Sequence, residues 1–151
     1  MNIRRPVLVI IALLLVAMEP VNGSDDDFDY FASLSYYSCP VTSREWSITV
    51  YRKQQRISID IDNYQNRTVK QPFDGDQYLK LVDFLNRKGI WRVKGNFSKK
   101  SKNCYYEMKV SSGGYTNSFR VESGPVLSGE SSRYREMIRY FTNIARTVLE
   151  K

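Results

Sequence analysis

Two stretches of the chain carry apolar residues at three- and four-residue spacing, and four carry strict apolar–polar alternation. Between Asp76 and Val93 (DQYLKLVDFLNRKGIWRV), Tyr78, Leu79, Leu81, Val82 and Leu85 share one helical face. Lys80, Asp83, Asn86 and Arg87 fall largely on the other. Asp74 or Asp76 can cap the start by accepting an orphan backbone N–H. Gly89 stands where a left-handed residue closes a helix, behind Arg87 and Lys88, which suit the negative end of the dipole. Ile90 then folds back on the last turn, and Trp91 is expected to cover the same core edge. The second helical stretch runs from a cap at Ser131 or Ser132 to about Leu149. Tyr134, Met137, Ile138, Phe141, Ile144, Ala145, Val148 and Leu149 line one side of it.

The alternating stretches are Glu45–Tyr51, Arg56–Asp62, Cys104–Val110 and Tyr115–Val121. Trp46, Ile48 and Val50 face one way, as do Ile57, Ile59 and Ile61, and Cys104, Tyr106, Met108 and Val110. RKQQR (52–56) is a polar connection, 63–75 reads as a loop containing Pro72, and SSGG (111–114) supplies the positive φ of a tight hairpin turn. The predicted order is β-β-α-β-β-α. It implies an α+β two-layer sandwich: a four-stranded, mostly antiparallel sheet with both helices on one face. Its other face should display Thr49, Tyr51, Asp60, Tyr105, Glu107 and Lys109.

The first 23 residues are set apart from this fold. Arg4 and Arg5 precede an apolar run, Val7–Ala17, of 11 residues, against the roughly 20 needed to span a bilayer. Val21 and Gly23 are small enough for a cleavage site. Residues 1–23 are therefore expected to be a secretory signal peptide cut after Gly23, leaving a secreted or periplasmic protein with no transmembrane span. Residues 24–36 begin with SDDDFD and read as an acidic, flexible arm, so 37–151 is expected to be one α+β domain. Losing Arg4, Arg5 and Glu19 leaves 21 basic against 15 acidic residues. Cys39 and Cys104 are the only cysteines, and an oxidising compartment favours a structural disulfide between them.

Cys39-Pro40 before a strand pair, a helix closed by Gly89-Ile90-Trp91, an alternating strand, a Gly-Gly turn and a last helix together resemble a domain of unknown function of exported bacterial proteins. The resemblance covers about residues 37–148. It departs in two places: relatives have a glycine-aromatic pair after the helix, and an Asp-Gly first turn where this chain has Gln54-Gln55. It implies the fold and the exported compartment, and no activity.

Composition narrows the chemistry. The chain has no histidine, which excludes Ser-His and Cys-His nucleophile systems and histidine-ligated zinc. Two cysteines alone make no structural zinc site, and no phosphate-binding glycine motif occurs. No catalytic residue, metal or cofactor is assigned. A carboxylate-only hydrolase survives these exclusions, and it would need two of Asp60, Asp62, Asp74, Glu107 and Glu122 to converge in a cleft. The bland alternative for these carboxylates is a solvated strand face and a helix cap.

The remaining candidate is cationic. Arg87, Lys88, Arg92, Lys94, Lys99, Lys100 and Lys102 occur with no acidic residue between Asp83 and Glu107, beside Phe97, Tyr105 and Tyr106. Such a patch attracts a polyanion, an anionic cell-envelope surface or an acidic protein, against the plain reading of a solvated basic loop. Export disfavours nucleic acid as the natural ligand. Asn66-Arg67-Thr68 and Asn96-Phe97-Ser98 are glycosylation sequons in predicted loops. The sequence thus favours a small exported, non-catalytic binding module that engages a protein or anionic envelope component through the basic patch. An inhibitor or immunity protein of an exported toxin, and a carboxylate-dependent hydrolase, are the alternatives.

Overall fold

The computed structural model describes residues 28–39, 43–93, 104–123 and 129–151, with the side chains of 129–131 excepted. The elements are β1 (Tyr30–Tyr37), β2 (Arg44–Lys53), β3 (Arg56–Tyr64), β4 (Arg67–Pro72), α1 (Gly75–Arg87), β5 (Tyr105–Ser112), β6 (Tyr115–Glu122) and α2 (Gly129–Leu149). A single 3-10 turn, Ile90–Arg92, follows α1. All five strand pairs are antiparallel, in the spatial order β4-β3-β2-β1-β5-β6.

The α+β class, the antiparallel sheet and the two helices are as the periodicity predicts, but the sheet has six strands, not four. The first correction concerns the arm expected over 24–36. Residues 30–36 belong to β1, a central strand paired along its length with both β2 and β5. Its alternation is real: Tyr30, Ala32 and Leu34 are buried on the helix side. It is masked because Phe31 and Tyr37 stand on the opposite face and the small Ala32, Ser33 and Ser35 carry little contrast. The second correction is β4, which occupies part of the loop expected over 63–75. It is a short edge strand with Pro72 at its last position, where no ladder N–H is needed. The turns into β3 and β4 use Gln54, Gln65 and Asn66 at positive φ in place of glycine, removing the usual hairpin signal.

Both helices cover one face of the sheet. Tyr78 of α1 packs edge-on against Tyr30, Tyr134 of α2 packs at a tilt against Phe119, and Phe84 and Tyr140 stack between the helices at 4.2 Å. The shared core includes Leu34, Ile48, Val50, Ile59, Ile61, Leu81, Leu85, Met108, Met137 and Phe141, all buried. The Ile59/Ile61 row points inward as alternation requires. Asp74 caps α1, its Oδ1 accepting from the Gln77 N–H at 2.9 Å. Arg67 Nη1 donates to the Leu149 carbonyl, placing a cation on the C-terminus of α2. Leu79, grouped by spacing with the apolar face of α1, is instead 62% exposed.

Cys39 and Cys104 form a disulfide, with S–S 2.09 Å and Cα–Cα 4.7 Å. It joins the end of β1 to the start of β5, beside the Tyr37–Tyr105 pair. The expected signal peptide 1–23, residues 24–27 of the expected arm, and the Asn96 sequon lie outside the described residues. Among the described residues no helix is long and apolar enough to cross a membrane.

Candidate functional site: an aromatic cleft at the root of the cationic segment

The sheet face away from the helices carries the residues alternation assigned to it, although Tyr105 is not displayed there but buried against Tyr37 and Arg120. The described charges of this face are largely engaged with one another. Glu107 accepts from Arg120 Nε at 2.9 Å and from the Tyr37 hydroxyl at 3.3 Å. Asp60 pairs with Lys70 at 3.2 Å and accepts from Tyr51 at 3.4 Å, and Asp62 pairs with Arg44 at 2.9 Å. Lys109 lies over the Phe31 ring and Arg120 over Tyr105. Burial and the adjacent Glu107 carboxylate push the Tyr37 phenol up, so it acts as a neutral donor. This is the pattern of a solvated antiparallel face whose polar groups satisfy each other.

Of the carboxylates a hydrolase would need, Asp60 and Asp62 share one face of β3, but each is paired with a cation, Lys70 and Arg44, and neither lines a described cleft. The others are dispersed. Asp62 and Glu107 sit in one row across the sheet, separated by β2 and β1. Three strand spacings put them about 14 Å apart, beyond the range of paired glycosidase carboxylates. Asp74 is occupied as the α1 cap. Glu122 lines a cleft beside α2 without a second member of the set. Among the described residues no three Asp, Glu or Cys side chains group to hold a metal ion.

The structure divides the basic patch. Arg87 pairs with Asp83 at 2.9 Å along α1, and Lys88 pairs with Glu136 of α2, tying the end of one helix to the other. The Arg87–Asp83 pair is exposed and contributes little, whereas Lys88 is half-buried. Arg92 is exposed, and its side chain makes no ion pair among the described residues. Lys94, Lys99, Lys100 and Lys102 lie outside the described residues.

Beside Arg92 is a feature that sequence spacing does not reveal. Gly89 adopts φ 72°, ending α1 and turning the chain into the 3-10 turn. There Ile90 and Val93 are buried while Trp91 and Arg92 point outward. Ile90 enters the core as expected; Trp91 does not cover the core edge but remains 37% exposed. One side chain fixes this segment to the sheet. Asn117 of β6 donates through Nδ2 to the Ile90 carbonyl at 2.7 Å and to the Val93 carbonyl at 2.9 Å. The Trp91 indole N–H donates to Asn86 Oδ1 at 2.8 Å, setting the orientation of the ring.

Across from Trp91, Tyr115 leaves the Gly113-Gly114 turn 78% exposed. Trp91, Val93, Ser112, Tyr115, Thr116 and Asn117 line a cleft of about 580 Å³. None of the six is charged. Rigid aromatic side chains with one polar tip supply contact area at low entropic cost, which is why Trp and Tyr dominate binding hot spots. The signals available in the sequence were the Gly-Gly turn followed by Tyr115 and the Gly89-Ile90-Trp91 sequence. Only the fold brings the two together.

No family model matches the chain, and no curated protein matches its sequence.

Proposed function

We propose that the protein is an exported, non-catalytic binding module that holds an anionic partner at the Trp91–Tyr115 cleft and along the cationic segment that begins at Arg92. One observation carries the reading. Of the three exposed large hydrophobic side chains among the described residues, two border the same cleft, where the stretch containing Lys94, Lys99, Lys100 and Lys102 begins. The aromatic pair supplies contact area and orientation, and the cations supply attraction and on-rate. Export is supported by the short apolar run after Arg4 and Arg5 and by the disulfide. The resemblance to exported bacterial domains belongs to the same proposal. A protein with a cationic surface is disfavoured as partner by like-charge repulsion.

The test is elution from immobilised heparin, used as a generic polyanion, against sodium chloride. The triple variant Lys99→Ala, Lys100→Ala, Lys102→Ala and the double variant Trp91→Ala, Tyr115→Ala should both elute at lower salt than the wild type. The triple variant should also show a shallower salt dependence, because fewer counterions are exchanged. Elution of both variants at the wild-type position would remove this surface from consideration.

A further inference from the structure

The sheet ends in two strands with a single neighbour each, β4 on one side and β6 on the other. Their outer edges differ. Along an antiparallel pair, residues alternate between turning their N–H and C=O toward the partner and turning them away. One hydrogen bond just beyond a ladder therefore sets which residues face out. The Phe73 N–H donates to the Ile57 carbonyl at 3.0 Å, in register with the Ser58–Pro72 pair. Val69 and Gln71 thus face β3, and Lys70 and Pro72 turn outward. Proline has no N–H to offer, lysine brings a charge, and the ladder shifts register between Ile61 and Tyr64. Such features keep an edge strand from recruiting another.

β6 lacks this protection. The Ser123 N–H donates to the Cys104 carbonyl at 2.7 Å, and the Gly113-Gly114 turn is closed by the Ser112–Tyr115 pair. Both place Asn117, Phe119 and Val121 toward β5. Thr116, Ser118, Arg120 and Glu122 turn their N–H and C=O away from it. Among the described residues these groups have no backbone partner. The strand has no proline, and its register runs unbroken from Tyr115 to Glu122. Thr116, Ser118 and Arg120 are exposed. Arg120 is tied across the sheet face to Glu107 at 2.9 Å, so its charge does not guard the edge.

The Trp91–Tyr115 cleft opens at the start of this edge, because Thr116 and Asn117 belong to its lining. We propose that the β6 edge accepts an extended acidic segment of a partner protein as a further strand, with one end of that segment seated between Trp91 and Tyr115. Backbone hydrogen bonds to Thr116, Ser118 and Arg120 supply affinity independent of side chains, and the cleft selects the side chain it holds. The acidic character of the segment rests on the binding surface proposed above, whereas strand addition rests on the ladder alone. Glu122, the one acid of β6, lies at the end away from the cleft. A second copy of the chain is a poorer occupant. The chain has 23 basic against 16 acidic residues, and exposed Arg92 stands between Trp91 and Val93 of the cleft wall, so two copies repel at this edge.

The test is titration of the purified protein with a synthetic peptide of alternating glutamate and threonine that ends in phenylalanine. Binding is read by amide hydrogen exchange and by the Trp91 indole resonance. Exchange should slow at the Thr116, Ser118 and Arg120 amides and stay unchanged at Lys70 on the opposite edge. Peptides methylated on alternate backbone nitrogens keep the same charge and separate strand addition from electrostatic attraction. Methylating one alternate set should weaken binding about tenfold or more, the loss of its hydrogen bonds to β6. Methylating the other set should leave the affinity unchanged, because those N–H groups point away. Ser118→Pro, which removes an outward N–H and no ladder bond to β5, should weaken binding likewise. Unchanged exchange at Thr116, Ser118 and Arg120, or equal affinity of the two methylated peptides, would overturn strand addition. Loss of affinity in Trp91→Ala without edge protection would also overturn it, while leaving the cleft as a contact site. Edge protection at full affinity in the Trp91→Ala, Tyr115→Ala variant would uphold strand addition and remove the cleft. Protection of the same amides in the protein alone, growing with its concentration, would give the edge to a second copy and overturn the proposal.

Discussion

Replacing both Cys39 and Cys104 with alanine tests how the sheet is held together. The disulfide joins residues 65 apart in sequence, yet it joins strands that are already paired, at the Tyr37–Tyr105 end of the β1–β5 ladder. It adds no tertiary contact that the folded sheet would otherwise lack, so its effect falls mainly on the unfolded chain. For a loop of that length the chain-entropy model gives about 4 kcal/mol. For a domain of about 120 residues, with about 0.25 kcal/mol per degree of unfolding entropy, this corresponds to a Tm lower by about 15 °C. The assay is guanidinium and thermal unfolding of the oxidised protein and the double variant, followed by circular dichroism. The variant should keep the native spectrum at 25 °C, with a lower midpoint. Its m-value should be higher, because the uncrosslinked unfolded chain exposes more surface. A loss below about 1 kcal/mol would refute the entropic reasoning. Loss of the native spectrum would show that the bond holds a native geometry the strands cannot reach unaided.

Three further outcomes follow from particular contacts. Leu34→Ala, in the centre of β1 and fully buried, should cost about 3–5 kcal/mol in chemical unfolding, which a residue in a loose arm would not. Asn117→Ala should cost about 1–3 kcal/mol by leaving the Ile90 and Val93 carbonyls unpaired, and Asn117→Asp should be no better, since a carboxylate has no donor. Burial raises the phenols of Tyr30, Tyr37, Tyr78, Tyr106 and Tyr140, so the folded state holds protons that the unfolded chain releases. Their contribution to stability should be intact below about pH 10 and fall as pH rises above it, by about 1.4 kcal/mol per pH unit for each fully withheld proton. Denaturant unfolding at pH 8, 10 and 11 with tyrosinate absorbance checks this. Undiminished stability at pH 11 would contradict it.

What the sequence disclosed tracked the strength of its periodicity. α1, α2, the β2–β3 hairpin and the β5–β6 hairpin all carry one apolar face against one polar face, and all are present. β1 did not show itself, because a central strand with aromatics on both faces and serine and alanine between them has no clear period of two. β4 was hidden for another reason: an edge strand buries little and tolerates Pro72. The disulfide followed from two cysteines and a signal-like start. The cleft was legible only in parts. Arg92 belongs to a visible run of charge, but nothing in the sequence says that Tyr115, more than twenty residues on, stands across from Trp91. That neighbourhood depends on the two hydrogen bonds from Asn117.

Hydroxyl-radical footprinting of the protein with and without heparin reads the contact surface residue by residue. Trp91 and Tyr115 should lose reactivity on binding, while Phe31, Tyr37 and Tyr51 on the open sheet face keep theirs. Protection of Phe31, Tyr37 and Tyr51 with Trp91 and Tyr115 unchanged would place the partner on the sheet face and contradict the account.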